Sequence, residues 1–185
     1  MSDPLSVPDS PSQLTDENLP KEREQFIRFH LEPETTALLP ILQLGEVLNI
    51  PINQIVPIFQ MPAWVMGVYN WRGEILWVVD LGQLVGLTPC YQQSFSTSTY
   101  TTIILHAASH NSLSSSNRNQ VLGIIVNQIE EIEWCNLEQI QSPPSTIAVD
   151  GMLPFLRGYW MKSDEEMLAI IDGEAILAAM PKPNI

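Results

Sequence analysis

The sequence predicts an all-β fold, a barrel or sandwich, on three observations. Its apolar segments are of strand length and rich in Val, Ile and aromatic residues. Proline occurs 15 times in 185 residues, and where it falls between these segments it removes backbone donors and stops any long helix from propagating. A hairpin followed by a short helix occurs twice, as a duplicated β unit would show.

Residues 1–23 are polar and acidic and are interrupted by Pro4, Pro8, Pro11 and Pro20. They lack the apolar surface that offsets ordering entropy, so a disordered tail is expected. Phe26, Ile27, Phe29 and Leu31 open the first strand, and Ala37–Ile41 and Leu44–Ile50 follow, cut by Pro33, Pro40 and Pro51. Beyond a Pro57–Pro62 connection come Val65–Tyr69 and Glu74–Val79. The turn between them carries Asn70 and Gly73, residue types suited to positive φ, so the pair reads as a hairpin. Thr101–His106 is the next strand. Residues 108–119 are dominated by Ser and Asn without apolar period and read as a flexible surface loop. Val121–Val126, Gln128–Glu133, Leu156–Met161 and Met167–Ile171 complete the strands, the last two joined by the polar turn Ser163-Asp164-Glu165. A single domain over 24–181, with a short tail at 182–185, accounts for the chain.

The repeat runs Pro62, Gly67, turn, apolar strand, Asp80, Leu84 in its first copy, and Pro154, Gly158, turn, apolar strand, Asp172, Ile176 in its second. Each aspartate is placed to N-cap a short helix, over Leu81–Val85 and Gly173–Met180, and Gln83 fits a capping box with Asp80. Two such units leave a groove between them.

Eight basic and 21 acidic residues give a net charge of −13, which argues against nucleic acid and anionic membrane surfaces as partners. No apolar run reaches the ~18 residues of a membrane span, so direct membrane insertion is not expected. Cys90 and Cys135 are too few for a disulfide framework, and no secretory leader pattern opens the sequence, so the expected compartment is the cytoplasm. The search for catalytic chemistry is negative. Of the three histidines, His30, His106 and His110, the last two are four apart where a strand runs into a polar loop but have no Cys or carboxylate at ligand spacing beside them, and no phosphate-binding glycine loop or nucleophile elbow is present. Glu130, Glu131 and Glu133 read as a solvated strand face rather than an acid/base pair. No catalytic residue, metal or cofactor is assigned.

Arg72 is the only basic residue between Arg28 and Arg118, and Trp64, Trp71 and Trp77 flank it. Arginine beside tryptophan is the composition of binding hot spots. Trp77, inside an apolar strand, is expected to be structural, whereas Trp71 at the turn is the candidate for contact.

The segment Gly67-Val68-Tyr69-Asn70-Trp71-Arg72-Gly73-Glu74-Ile75 continuing to Val79-Asp80-Leu81 resembles the signature of the CheW-like domain of bacterial chemosensory systems. Phe26-Ile27-Arg28-Phe29, Leu44-Gly45-Glu46-Val47, Val121–Val126, Leu156-Arg157-Gly158 and Leu168–Leu177 extend that resemblance over about Glu24 to Met180. The resemblance implies two intertwined five-stranded SH3-like barrels with short capping helices. It also implies a non-catalytic adaptor joining the regulatory domain of a CheA-type histidine kinase to the cytoplasmic tips of chemoreceptors, recruited to membrane-associated arrays that control motility. Leu44 and Glu46 match positions implicated in kinase contact or interface geometry. Gly67, Arg72 and Ile75 match positions implicated in receptor or kinase coupling, and Trp71 joins them as a neighbour. Asn127 departs from the family's frequent Asp. Arg72 is expected to reach Glu46 and grip it at two points with its planar guanidinium. The competing class is a small-ligand-binding β-barrel or an unrecognised hydrolase, which would need a cavity with convergent polar groups.

Overall fold

The computed structural model describes residues 23–32, 34–93, 98–107, 121–142, 151–164 and 166–181. Within them the strands are β1 Arg23–Glu32, β2 Thr35–Pro40, β3 Leu44–Pro51, β4 Val65–Trp71, β5 Glu74–Asp80, β6 Thr99–His106, β7 Val121–Val126, β8 Gln128–Asn136, β9 Ile140–Gln141, β10 Leu156–Met161 and β11 Met167–Ile171. Two short helices, α1 Leu81–Leu84 and α2 Gly173–Ala179, follow β5 and β11. The predicted tail over 1–22, the loop 108–119 and residues 182–185 lie outside the described residues. Arg23, placed in the tail by the sequence, instead opens β1 and pairs with Asn136.

The strands form a six-stranded sheet, β8-β1-β2-β11-β10-β9, and a five-stranded sheet, β3-β6-β7-β5-β4. The two orders correspond place by place. In each, a central antiparallel hairpin (β1-β2 or β6-β7) meets the second strand of another hairpin in parallel, β11 beside β2 and β5 beside β7. The sixth place in the smaller sheet is taken by a single bridge between Val56 and Val68. The chain is therefore two copies of one unit, β1–β5 with α1 and β6–β11 with α2, that exchange their leading hairpins. This exchange is the intertwining the resemblance implies. The expected five-plus-five strand count needs one correction, because the two-residue β9 makes the first sheet six-stranded.

Each sheet curls until its ends approach. In the smaller one, Val56 lies just past β3 yet exchanges two 2.9 Å backbone hydrogen bonds with Val68 in β4. In the larger one, β9 follows β8 and pairs with β10. Closure leaves three apolar clusters. Phe26, Leu38, Trp160 and Ile170 fill one barrel, and Ile50, Leu76, Val78 and Ile104 fill the other. The largest, including Phe29, Leu39, Val79, Leu81, Ile103 and Ile124, lies between them and takes residues from both sheets. Fully burying each such side chain contributes ~1.5–3 kcal/mol, so this shared core welds the barrels together.

Both predicted caps form. Asp80 accepts from the Gln83 N–H at 3.1 Å, and Asp172 accepts from Glu174 and Ala175 N–H at 3.0 and 3.3 Å. The capping box does not. The Asp80 N–H donates to the Trp64 carbonyl, so Gln83 has no backbone donor to reach back to, and its Oε1 is buried without a partner. The second copy repeats the strand-entry bond, with the Asp172 N–H donating to the Phe155 carbonyl. The acidic strand face is also not simply solvated. Arg28 meets Glu130, Glu133 and Glu166 at 2.5, 3.4 and 2.7 Å, and Glu133 also pairs with Lys162.

Candidate functional site at a barrel mouth

Glu46, Leu48 and Ile50 alternate along β3, and the last two pack into the barrel interior, so Glu46 is the inward-facing residue at the strand's start. The ladder to β6 shifts between Leu44 and Val47, which places a bulge at Gly45 and Glu46. A bulge re-aims a side chain, and here it turns the carboxylate over the barrel mouth. Gly45 beside it leaves room for the His106 ring, since a Cβ there would lie 2.1 Å from His106 Nε2 and the imidazole would have to turn aside.

The opposite wall is the β4-β5 hairpin. Trp71 pairs with Glu74, leaving Arg72 and Gly73 as the two turn residues with φ of 55° and 86°. Positive φ at both is the signature of the tight turn that matches strand twist. Sequence reasoning assigned positive φ to Asn70 and Gly73. The structure moves it to Arg72, and the Asn70 side chain accepts the Gly73 N–H at 3.0 Å instead. An arginine thus occupies a left-handed position that Gly, Asn or Asp fills at lower cost.

Glu46 bridges the two walls. Its Oε2 accepts from Arg72 Nη2 at 2.9 Å and its Oε1 accepts from Trp71 Nε1 at 2.7 Å. The Arg72 guanidinium carbon stands 5.1 Å from the centroid of the Trp71 ring, within cation–π range. The expected approach of Arg72 to Glu46 is present, but the two-point grip is not, because the indole holds the second oxygen. Arg72 itself stays outside, its side chain 71% exposed against 30% for Glu46.

Ile75, opposite Asn70 on the same hairpin, is 76% exposed. Cross-strand partners share a face, so the register places Val56, Val68 and Trp77 in one row and Asn70 and Ile75 in the next. Trp77 packs on the core between the barrels, as expected of a structural residue. The remaining predicted residues lie elsewhere. Leu44 packs against the inter-barrel core. Gly67 is buried at φ 141°, where a Cβ would sit 2.2 Å from the Val56 carbonyl oxygen, so it permits the bridge that closes the barrel.

Sequence reasoning passed over Val56 and Phe59, 58% and 94% exposed, by leaving residues 52–56 unassigned and reading Pro57–Pro62 as a plain connection. Apolar side chains between two prolines were the signal available there. A second exposed pair, Ile132 and Trp134, sits on the edge strand β8.

A recess of about 70 Å³ lies where β6, β7 and the segment after α1 meet, with Asp80, Cys90 and Tyr100 among its walls. Burial, then the Asp80 carboxylate, pushes the Cys90 thiol up to about 12. It remains protonated, while Asp80 caps α1 and accepts the Cys90 N–H at 2.7 Å. Among the described residues no group of three His, Cys, Asp or Glu could hold a metal ion, and no helix is long and apolar enough to cross a membrane.

Comparison with known proteins agrees with this architecture. The chain is 24% identical to the scaffolding protein TtCheW from Thermoanaerobacter tengcongensis, whose crystal structure superposes with a TM-score of 0.62 over 82% of this chain and 90% of that one. At that identity the likeness speaks for the fold. A curated relative, the probable chemotaxis protein CheW of Rhizobium etli, is 28% identical over 117 residues, 63% of this chain and 65% of its own length. The aligned part thus spans less than two thirds of that relative. The profile of the CheW-like domain matches residues 25–180, from the first strand to the end of α2, and the chain belongs to that family.

Proposed function

We propose that this protein is a non-catalytic adaptor that couples chemoreceptors to a CheA-type histidine kinase in a chemosensory array. The observation that carries the reading is the Glu46–Trp71–Arg72 cluster, in which two family-matching segments meet at a barrel mouth and hold one cation outward in an acidic protein. Ile75 and Val56 extend that surface with exposed apolar area, the combination of anchor and rim that interfaces use. The kinase's regulatory domain and the helical tip of the receptor are the partners, and the protein works where receptor arrays hold it beside the membrane. Membership of the CheW-like family and the chemotaxis relative support this assignment. The recess beside Asp80 and Cys90 does not favour the small-ligand reading, since its volume of about 70 Å³ is well below the ~300 Å³ at which ligand pockets begin.

Co-sedimentation with reconstituted receptor arrays and a CheA-type kinase tests the proposal. Stoichiometric recruitment, with kinase activity dependent on the added protein, is expected. Failure to bind either component would overturn it.

A further inference from the structure

We propose that Trp71 is the positioning residue of this surface, holding Glu46 and Arg72 as one preformed element. The inference rests on the adaptor reading for its biological use, but its physical content stands on the hairpin alone. Arg72 is exposed and sits on a turn, the setting in which a long side chain samples many rotamers and a single ion pair orders little. Trp71 differs. Its ring packs against the barrel interior, so its orientation is fixed by the core. From that fixed position its N–H takes Oε1 of Glu46 at 2.7 Å, which leaves Oε2 directed at Arg72, and its ring lies 5.1 Å from the guanidinium. One half-buried aromatic therefore sets both members of the exposed pair, and a partner meets them already arranged. Preorganisation of this kind removes ordering cost from binding.

Two measurements test the role. The first uses the protein alone. By NMR the Trp71 indole N–H should exchange slowly with solvent, and Glu46→Ala should accelerate that exchange at least about tenfold while leaving the amide spectrum of the other strands in place. Unchanged exchange in Glu46→Ala would overturn the assignment. The second is a double-mutant cycle on affinity for a CheA-type kinase regulatory domain. Trp71→Phe keeps an aromatic ring at the position but loses the donor together with the second ring of the indole, and should weaken binding about tenfold, the scale of one hydrogen bond to a charged group. Adding Trp71→Phe to Glu46→Ala should then cost almost nothing further, because Trp71 acts through Glu46. Fully additive losses would mark Trp71 as ordinary packing and overturn the proposal. If the unmodified protein binds neither kinase nor receptor, the adaptor reading falls and the exchange measurement still decides the positioning role.

Discussion

Arg72→Asn should separate stability from binding, because the conformation of residue 72 and its side chain act in opposite directions. At φ 55° a residue other than glycine or asparagine carries a cost of ~1–2 kcal/mol. The ion pair to Glu46 offsets only part of it, since a pair with one member 71% exposed contributes ~0.5–1 kcal/mol at most. Arg72→Ala removes the pair and keeps the backbone cost, so it should lower stability by ~0.5–1 kcal/mol. For a domain of this size that is a fall of about 1–4 °C in Tm. Arg72→Asn loses the same pair but relieves the left-handed cost, so it should be as stable as the unmodified protein or up to ~1.5 kcal/mol more stable. Both variants should lose about tenfold in affinity for the kinase regulatory domain. Urea unfolding with parallel titration calorimetry measures the two quantities. The reasoning is refuted if Arg72→Asn is destabilised as much as Arg72→Ala, or if Arg72→Asn binds like the unmodified protein.

Gly67→Ala should destabilise by at least ~2 kcal/mol, since the new Cβ would meet the Val56 carbonyl at 2.2 Å in a backbone region that L residues rarely occupy; thermal melting within 2 °C of the unmodified protein would contradict this. Burial pushes both Cys90 and Cys135 up to about 12, so iodoacetamide at pH 8 should label neither in the native state and both after unfolding, as mass spectrometry can read. Prompt native labelling of either thiol would show that it is not buried as described. The Glu130 carboxyl is held below its usual range by the His30 hydrogen bond and then by Arg28. A depressed carboxyl stabilises the fold above its unfolded range and loses that contribution as pH falls through the folded value, so stability should decline on acidification below the ordinary carboxylate range. His30→Gln should flatten that decline, and an unaltered pH profile would remove Glu130 as its source.

Local chemistry alone determined the strands, the capped helices and the hairpin around Arg72. Period-two alternation, proline punctuation and an aspartate before a short apolar run act within a few residues and need no knowledge of the rest of the chain. The meeting of Glu46 with Arg72 was legible because both lie in recognisable segments and one cation faces an otherwise acidic stretch. What the sequence could not supply is pairing across long separations. Leu44-Gly45-Glu46-Val47 and Ile129-Glu130-Glu131-Ile132 occupy equivalent places in the two units, as do Ile52-Asn53-Gln54-Ile55-Val56 and Leu137-Glu138-Gln139-Ile140-Gln141. Yet nothing local states that the units exchange hairpins, because that depends on which closed sheet buries the most apolar surface. For the same reason Arg28 gave no hint of the three carboxylates it meets, two from β8 and one from the β10–β11 turn. β9 was invisible because two residues cannot show a period. Trp71's role was decided only by closure of the barrel, which brings β3 to the end of β4 and leaves one oxygen of Glu46 to the indole and the other to Arg72.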